Sequence, residues 1–263
     1  MIRSLWTGTT GMHGQQLNID VIANNLANVS TTGFKKSKTD FQDLLYQTMK
    51  VPGAQTSADT ESPTGIQIGL GVKPAAVSKV FTQGDLILTE NVLDVAIEGE
   101  GFLQIETPNG NTTYTRSGAL KRDGDGRITN SDGYPLIPEI TIPDGSREDT
   151  LTISETGIVS VVIGDDEAAT ELGNIELAIF TNNAGLKAIG KNLFQETESS
   201  GVAATGNPGD DGYGQLLQTY LEGSNVNIVE ELANMITTQR AYEINSKTIQ
   251  TSDEMMQTTN QLI

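Results

Sequence analysis

No cysteine occurs in the 263 residues, which excludes disulfides and thiolate metal sites and leaves the chain indifferent to the redox state of its compartment. Histidine occurs once, at His13: zinc sites without Cys usually need more than one, and from mid-helix with no evident acid partner it does not supply a Ser-His-Asp arrangement, so it reads as a packing or surface group. Basic residues are scarce: 16 Lys and Arg stand against 34 Asp and Glu, for a formal net charge of −18. A phosphate backbone is bound by clustered cations, so nucleic acid is not an expected partner. No apolar run approaches the length needed to cross a bilayer. The first thirty residues are broken up by Gln15, Gln16, Asn18, Asp20, Asn24 and Asn25, unlike a cleaved secretory signal, and none is expected. The hydrophobic fraction of 36% is low for one compact core of this length, so part of the chain is expected to be extended or buried only on assembly. These absences point to a structural, self-assembling subunit rather than an enzyme, with no cofactor or metal.

What is present is organised by position. In the C-terminal stretch Ile228, Met235, Tyr242, Ile249, Met256 and Ile263 recur every seven residues, with Leu232 and Ile236 on the same face. A period of seven keeps one apolar stripe on one side of a supercoiling helix. Asn227 followed by Glu230 marks the helix start in the manner of a capping box. A helix from there to the end would be roughly 54 Å long and too thinly apolar to stand alone. The N-terminal stretch matches it, with Leu5, Met12, Ile19 and Leu26 seven apart and Ile22 and Val29 on adjacent positions. Gly8, Gly11 and Gly14 form a row that signals close helix approach, or a segment that orders only on docking. Apart from Arg3 and Asp20 this stretch is uncharged before Gly33, which suits a helix surrounded by other protein.

Between the ends the pattern changes. Phe41, Leu44, Leu45 and Tyr46 could form a helical turn or two, and Gly53 to Gly65 is small, polar and turn-forming. From Val72 onward, short alternating runs such as DVAIEGEGFLQIE, LTISETGIVSVVI and NIELAIF are separated by Gly, Asp and Asn, which are strand and hairpin signals. The expected fold is mixed: terminal helices, residues 1–34 and 224–263, forming a coiled-coil-like inner domain; an extended linker or arm, 35–71; and a central all-β domain, 72–223.

Several local signals have plainer readings. RDGDGR, Arg122 to Arg127, begins like a calcium loop, but Arg127 sits where a ligand oxygen is needed and the bidentate Glu is missing; a hairpin turn is expected. Gly99, Gly101 and Phe102 lack the last glycine of a dinucleotide fingerprint and read as a strand junction. Asp165, Asp166, Asp210 and Asp211 read as acidic turns. The stripes themselves could be ordinary core, although two matched periods favour assembly.

Two passages carry more. DVIANNLANVSTTGFK, Asp20 to Lys35, with Asn24, Asn25, Leu26, Ala27, Asn28, Gly33 and Phe34, and SNVNIVEELANMITTQRAYEINSK, Ser224 to Lys247, with Asn225, Val226, Asn227, Arg240, Ala241 and Tyr242, closely resemble the terminal signatures of the bacterial flagellar axial proteins. DVAIEGEGFLQI and YTRSGALKRDGDGRITNSDGYPL are similar to interior motifs of that family, and DLLYQTMKVPGAQTS followed by GIQIGLGV to a segment of its distal-rod branch. The resemblance covers nearly the whole chain. It implies a subunit exported unfolded through the flagellar type III apparatus, which then polymerises into a tube between the proximal rod and the hook, inside the bushing rings of the envelope. Terminal helices would line the tube and the β domain would form its outer layer. A hook or proximal rod subunit remains the nearest alternative. From other classes stand an extracellular binding module on a coiled-coil stalk and a peptidoglycan-cleaving enzyme, the latter needing a cleft with a shifted carboxylate.

Overall fold

A computed structural model describes residues 2–53, 55–57, 60–61, 63–143, 146, 150–163 and 169–261. The chain divides into two units, one made of residues 1–27, 37–78 and 227–263, the other of 28–36 and 79–226.

The first unit is built on two helices, α1 (Ile2–Ala27) and α2 (Ile228–Gln261). α2 begins where the capping signal places it: the Asn227 side-chain oxygen accepts the backbone N–H groups of Val229 at 3.0 Å and Glu230 at 3.4 Å, satisfying donors that the first turn leaves free. Its 34 residues make it about 51 Å long. The helices run antiparallel, because contacts near the start of α1 reach the end of α2 and contacts near its end reach the start. Between them in sequence lie strands β1 (Ser37–Asp43), β2 (Tyr46–Lys50), β3 (Gln55–Ser57), β4 (Thr60–Glu61), β5 (Ile66–Gly69) and β6 (Val72–Lys79), paired as β1 with β6, β2 with β5 and β3 with β4. Phe41 and Leu44 to Tyr46 thus belong to strands and their junction, not to helical turns: pairing with β5 and β6 satisfies their backbone across the sheet.

The second unit is all β. Its largest sheet has seven strands and is organised on Phe102–Glu106, which pairs antiparallel with Thr112–Thr115 on one edge and with Leu177–Ile179 and Leu136–Ile137 on the other. The passage DVAIEGEGFLQI supplies two strands, Val95–Glu98 and Phe102–Glu106, that are buried on both faces except at their last residues. The alternation expected of this passage is thus corrected: with both faces covered, successive residues are buried instead of every second one. Val95, Ile97, Leu103, Ile105, Leu120, Ile128 and their neighbours form one closed core. A second cluster stacks Phe102, Tyr114, Phe180 and Phe194 edge to face, with ring centroids 4.7–6.1 Å apart.

Candidate functional site

The helical unit offers one candidate surface. Along α1, Ser4, Gly8, Gly11, Gln15, Asn18, Ile22 and Asn25 alternate in steps of four and three, the spacing that keeps residues on one side of a helix. The structure sets this line against α2: Ser4 Oγ lies 3.1 Å from Ser252 Oγ, Asn18 donates to Thr238 Oγ1 at 3.1 Å, and Asn25 donates to Glu231 Oε2 at 3.3 Å. A Cβ built on Gly8 would stand 2.9 Å from Ile249, and one on Gly11 2.9 Å from the Asn245 amide, so both glycines mark close helix approach. Gly14 instead faces Phe41 of β1 and Val72 of β6. The contact face is therefore small and polar. Within the described residues of the two helices, Ile22, at 4% exposure, is the one buried large apolar side chain, whereas Glu231, Thr238 and Ser252 are the buried positions of α2.

The apolar stripe of α1 lies one residue, about 100°, away from this face. Leu5, Met12, Ile19 and Leu26 are half-buried. On α2, Met235, Ile249 and Met256 are half-buried, while Ile228, Leu232, Ile236 and Tyr242 are exposed, Ile236 at 60%. Ile263 lies outside the described residues. The arm adds to the uncovered surface: the ribbon of β2 and β5 pairs Gln47 with Ile68 and Thr48 with Gln67, and exposes Tyr46, Met49, Ile66 and Ile68, with Leu45 beside it at 83%. A two-stranded ribbon without a covered face is marginal in water. Large apolar side chains left uncovered in such number are the usual mark of an interaction surface.

The second unit holds a buried charge site. Lys35 Nζ donates to Glu222 Oε1 at 2.6 Å and to the Thr82 carbonyl at 2.8 Å, and both the lysine and glutamate side chains are fully buried. Arg116 donates to Glu222 Oε2 at 3.2 Å and to the Gly99 carbonyl at 2.7 Å, with its guanidinium over the Phe102 ring. The Gly84 N–H completes the shell of Glu222 at 2.9 Å. Burial lowers the Lys35 and Arg116 pKa values, against the raising pull of Glu222. The surrounding backbone is tied in as well. Gly33 N–H donates to the Glu222 carbonyl at 2.8 Å, and the Asn225 side chain accepts from Lys36 N–H at 2.7 Å and donates to the Val80 carbonyl at 2.9 Å. Gly33 has φ +68°, and a Cβ there would meet the Ser117 nitrogen at 2.6 Å, so glycine is required on both counts. This is a clamp: two cations and a backbone N–H close around a single buried carboxylate.

The remaining motif residues take varied places. Asn28, Val29 and Asn225 are half-buried, Phe34 and Val226 are buried, and Asn24, Ala27 and Asn227 are exposed. Arg240 is exposed and paired with Glu243 at 2.7 Å, next to the half-buried Ala241. His13 stands exposed on α1. The RDGDGR turn is a hairpin in which Arg127 reaches Asp125 at 3.2 Å and Glu139 at 3.7 Å, so a cation fills the place a metal would take. Asp210 and Asp211 are exposed, and Asp165 and Asp166 lie outside the described residues. Among the described residues no acidic or histidine cluster could hold a metal, and no helix is long and apolar enough to cross a membrane. Reasoning from apolar periodicity missed the polar contact face and the three clamp residues. The first was signalled by Ser4, Gly11, Asn18 and Asn25, a seven-residue recurrence as strict as the apolar one.

Three family models match: the flagella basal body rod protein over residues 5–35, the flagellar hook protein FlgE/F/G D1 domain over 96–161, and the flagellar basal body rod FlgEFG protein C-terminal region over 217–262. Lys35, Arg116 and Glu222 fall one in each matched segment. The flagellar basal-body rod protein FlgG of Buchnera aphidicola subsp. Schizaphis graminum is 50% identical over the full length of both chains. That of Borreliella burgdorferi is 50% identical, covering 100% of this chain and 99% of its own. The flagellar hook-basal body complex protein FlhP of Bacillus subtilis is 30% identical over 97% of each. With its helical ends, inserted β unit and full-length likeness to these proteins, the chain belongs to the FlgG family of flagellar basal-body rod proteins.

Proposed function

We propose that the chain is the structural subunit of the flagellar distal rod, polymerising into a tube that transmits torque from motor to hook and conducts exported subunits. The observation that carries this reading is the imbalance in the helical unit. Within the described residues of the two helices one large apolar side chain, Ile22, is buried, while Leu232, Ile236, Val229 and Ile244 of α2 are exposed. Copies of the same unit, packed side by side, are the natural cover for two long parallel stripes, with the terminal helices as a coiled-coil-like inner layer and the β unit outside. The arm, with apolar residues uncovered on β2 and β5, serves as a second contact between neighbours.

Proximal rod subunits below, hook or junction subunits above, and the envelope rings around the tube are the partners of this arrangement. The export apparatus is the route by which an unfolded chain reaches the growing tip. Helices with so little buried between them suit transit in an unfolded state. The test is to concentrate the purified subunit, follow helix content by circular dichroism and look for tubes by electron microscopy. Growth of tubes with a rise in helicity supports the reading, and a subunit that stays monomeric at every concentration overturns it.

A further inference from the structure

A contact face that repeats every seven residues has an intrinsic ambiguity, because sliding one helix by seven positions brings similar residues opposite each other again. On α1 the repeat is Ser4, Gly11, Asn18, Asn25, and on α2 it is Ser252, Asn245, Thr238, Glu231. After a slide of seven, Asn18 would face Asn245 and Gly11 would face Ser252, so polarity matches again; in shape, Asn18 and Gln15 would replace Gly11 and Gly8 beside Asn245 and Ile249, flexible side chains that would have to give way. Something must choose among the registers.

We propose that Asn25 and Glu231 form the register key of the terminal helix pair, fixing which turn of α1 faces which turn of α2 and thereby how the apolar stripes are presented to a second copy. The assignment rests on the assembly reading above and on three observations. Asn25 is 2% exposed and uses its whole amide: Oδ1 accepts the Ser37 N–H at 2.8 Å, while Nδ2 donates to the Ser37 carbonyl at 2.9 Å and to Glu231 at 3.3 Å. It is therefore locked to the first residue of β1 and cannot follow a slide. Glu231, 5% exposed, sits in the first turn of α2, where its own N–H is bonded to the Asn227 carbonyl at 3.0 Å. In a register displaced one way, Glu231 would lie beyond the last residue of α1, Ala27; displaced the other way, Asn25 would lie before the first residue of α2, Ile228. Either slide breaks this pair: in one Glu231 has no residue of α1 opposite it, and in the other Glu231 meets Asn18 while Asn25 loses its partner on α2. A polar residue at a single position of a helix seam is an attested way of fixing register at some expense in stability.

The absence of native cysteine makes the register readable by crosslinking. Ser4→Cys with Ser252→Cys reports the observed register, and Ser4→Cys with Asn245→Cys or with Thr259→Cys reports a slide of one repeat in each direction. In dilute full-length subunit with Asn25 and Glu231 intact, the first pair should form the intramolecular disulfide in excess over the other two by roughly tenfold. In the double variant Asn25→Leu, Glu231→Leu, helix content should persist because the seam has become more apolar, and the slid pairs should rise to within a few-fold of the first. Glu231→Gln, which keeps the hydrogen bond, should retain the native preference and guards against loss of folding as the cause. An unchanged preference in the double variant overturns the proposal, as does the lack of a dominant native disulfide in the intact chain. The assembly reading is judged separately, by tube growth of the cysteine-free chain: tubes without register control sink only the key, and register control without tubes sinks only the assembly.

Discussion

Lys35 and Glu222, 187 positions apart in sequence, meet at 2.6 Å with no exposed side-chain surface on either. Arg116 shares the same carboxylate, so one anion holds two cations inside the β unit. Removing the shared member strands the other two charges. Glu222→Gln is therefore expected to destabilise the β unit by about 3–5 kcal/mol and more than Arg116→Gln, as read by denaturant unfolding of the full chain.

Gly33 and Gly110 both have positive φ, +68° and +76°, but only Gly33 has backbone within reach of an added Cβ. Alanine at 110 should cost about 1 kcal/mol, from the dihedral alone. Alanine at 33 should cost at least about 2 kcal/mol more, because the Ser117 backbone must move as well. Paired thermal melts of the two variants check the difference.

On α2, Leu232 at 43% exposure and Ile236 at 60% contribute little to the isolated subunit. Leu232→Asp with Ile236→Asp should shift its stability by no more than about 0.5 kcal/mol per site yet prevent tube growth in the electron microscope. Ile22→Ala should behave in the opposite sense, lowering the stability of the helix pair by about 2–4 kcal/mol.

Tyr114 gives the β unit an alkaline limit. Burial, reinforced by Glu196, raises its phenol pKa from 10.0 to about 12. Because the unfolded phenol loses its proton first, stability held below pH 10 declines as pH climbs from about 10 to about 12. A two-unit displacement sets a ceiling of about 2.7 kcal/mol, which solvent near the hydroxyl reduces to on the order of 1–2 kcal/mol. Tyr114→Phe should flatten that part of the pH–stability curve measured by urea titration.

The arm is tested by removing residues 51–66. If β2 and β5 bind neighbouring subunits, the shortened chain should form tubes that bend or break under shear more readily than full-length tubes. Straight tubes of unchanged strength would show that the arm is dispensable for stiffness.

The helices were legible because their signals are local: a seven-residue period, a capping pair at Asn227 and Glu230, and no Pro inside either run. The β core was legible in DVAIEGEGFLQI for the same reason. The contact face was not, because apolar stripes are normally the buried side of a helix, and here the side turned toward the partner helix is the polar one. The glycines at 8 and 11 do signal close approach in the sequence, but nothing local marks Ser4 and Asn18 as their companions on the contact face. The clamp was hidden differently. Arg116 and Glu222 lie 106 positions apart, and a single charge within an apolar strand region carries no mark of the partner that will neutralise it. Strands β1 and β2 were masked by Phe41 to Tyr46, a short run that fits either period until pairing decides it.

With Ile22 as the one large apolar side chain buried in the described residues of either helix, α1 and α2 have little heat to absorb when they separate. A calorimetric scan of the free subunit should thus record the β unit almost alone, and the ends of the chain can be straightened and coiled again at small thermal expense. The same ends, once enclosed by copies, would add a second and much larger transition that belongs to the polymer.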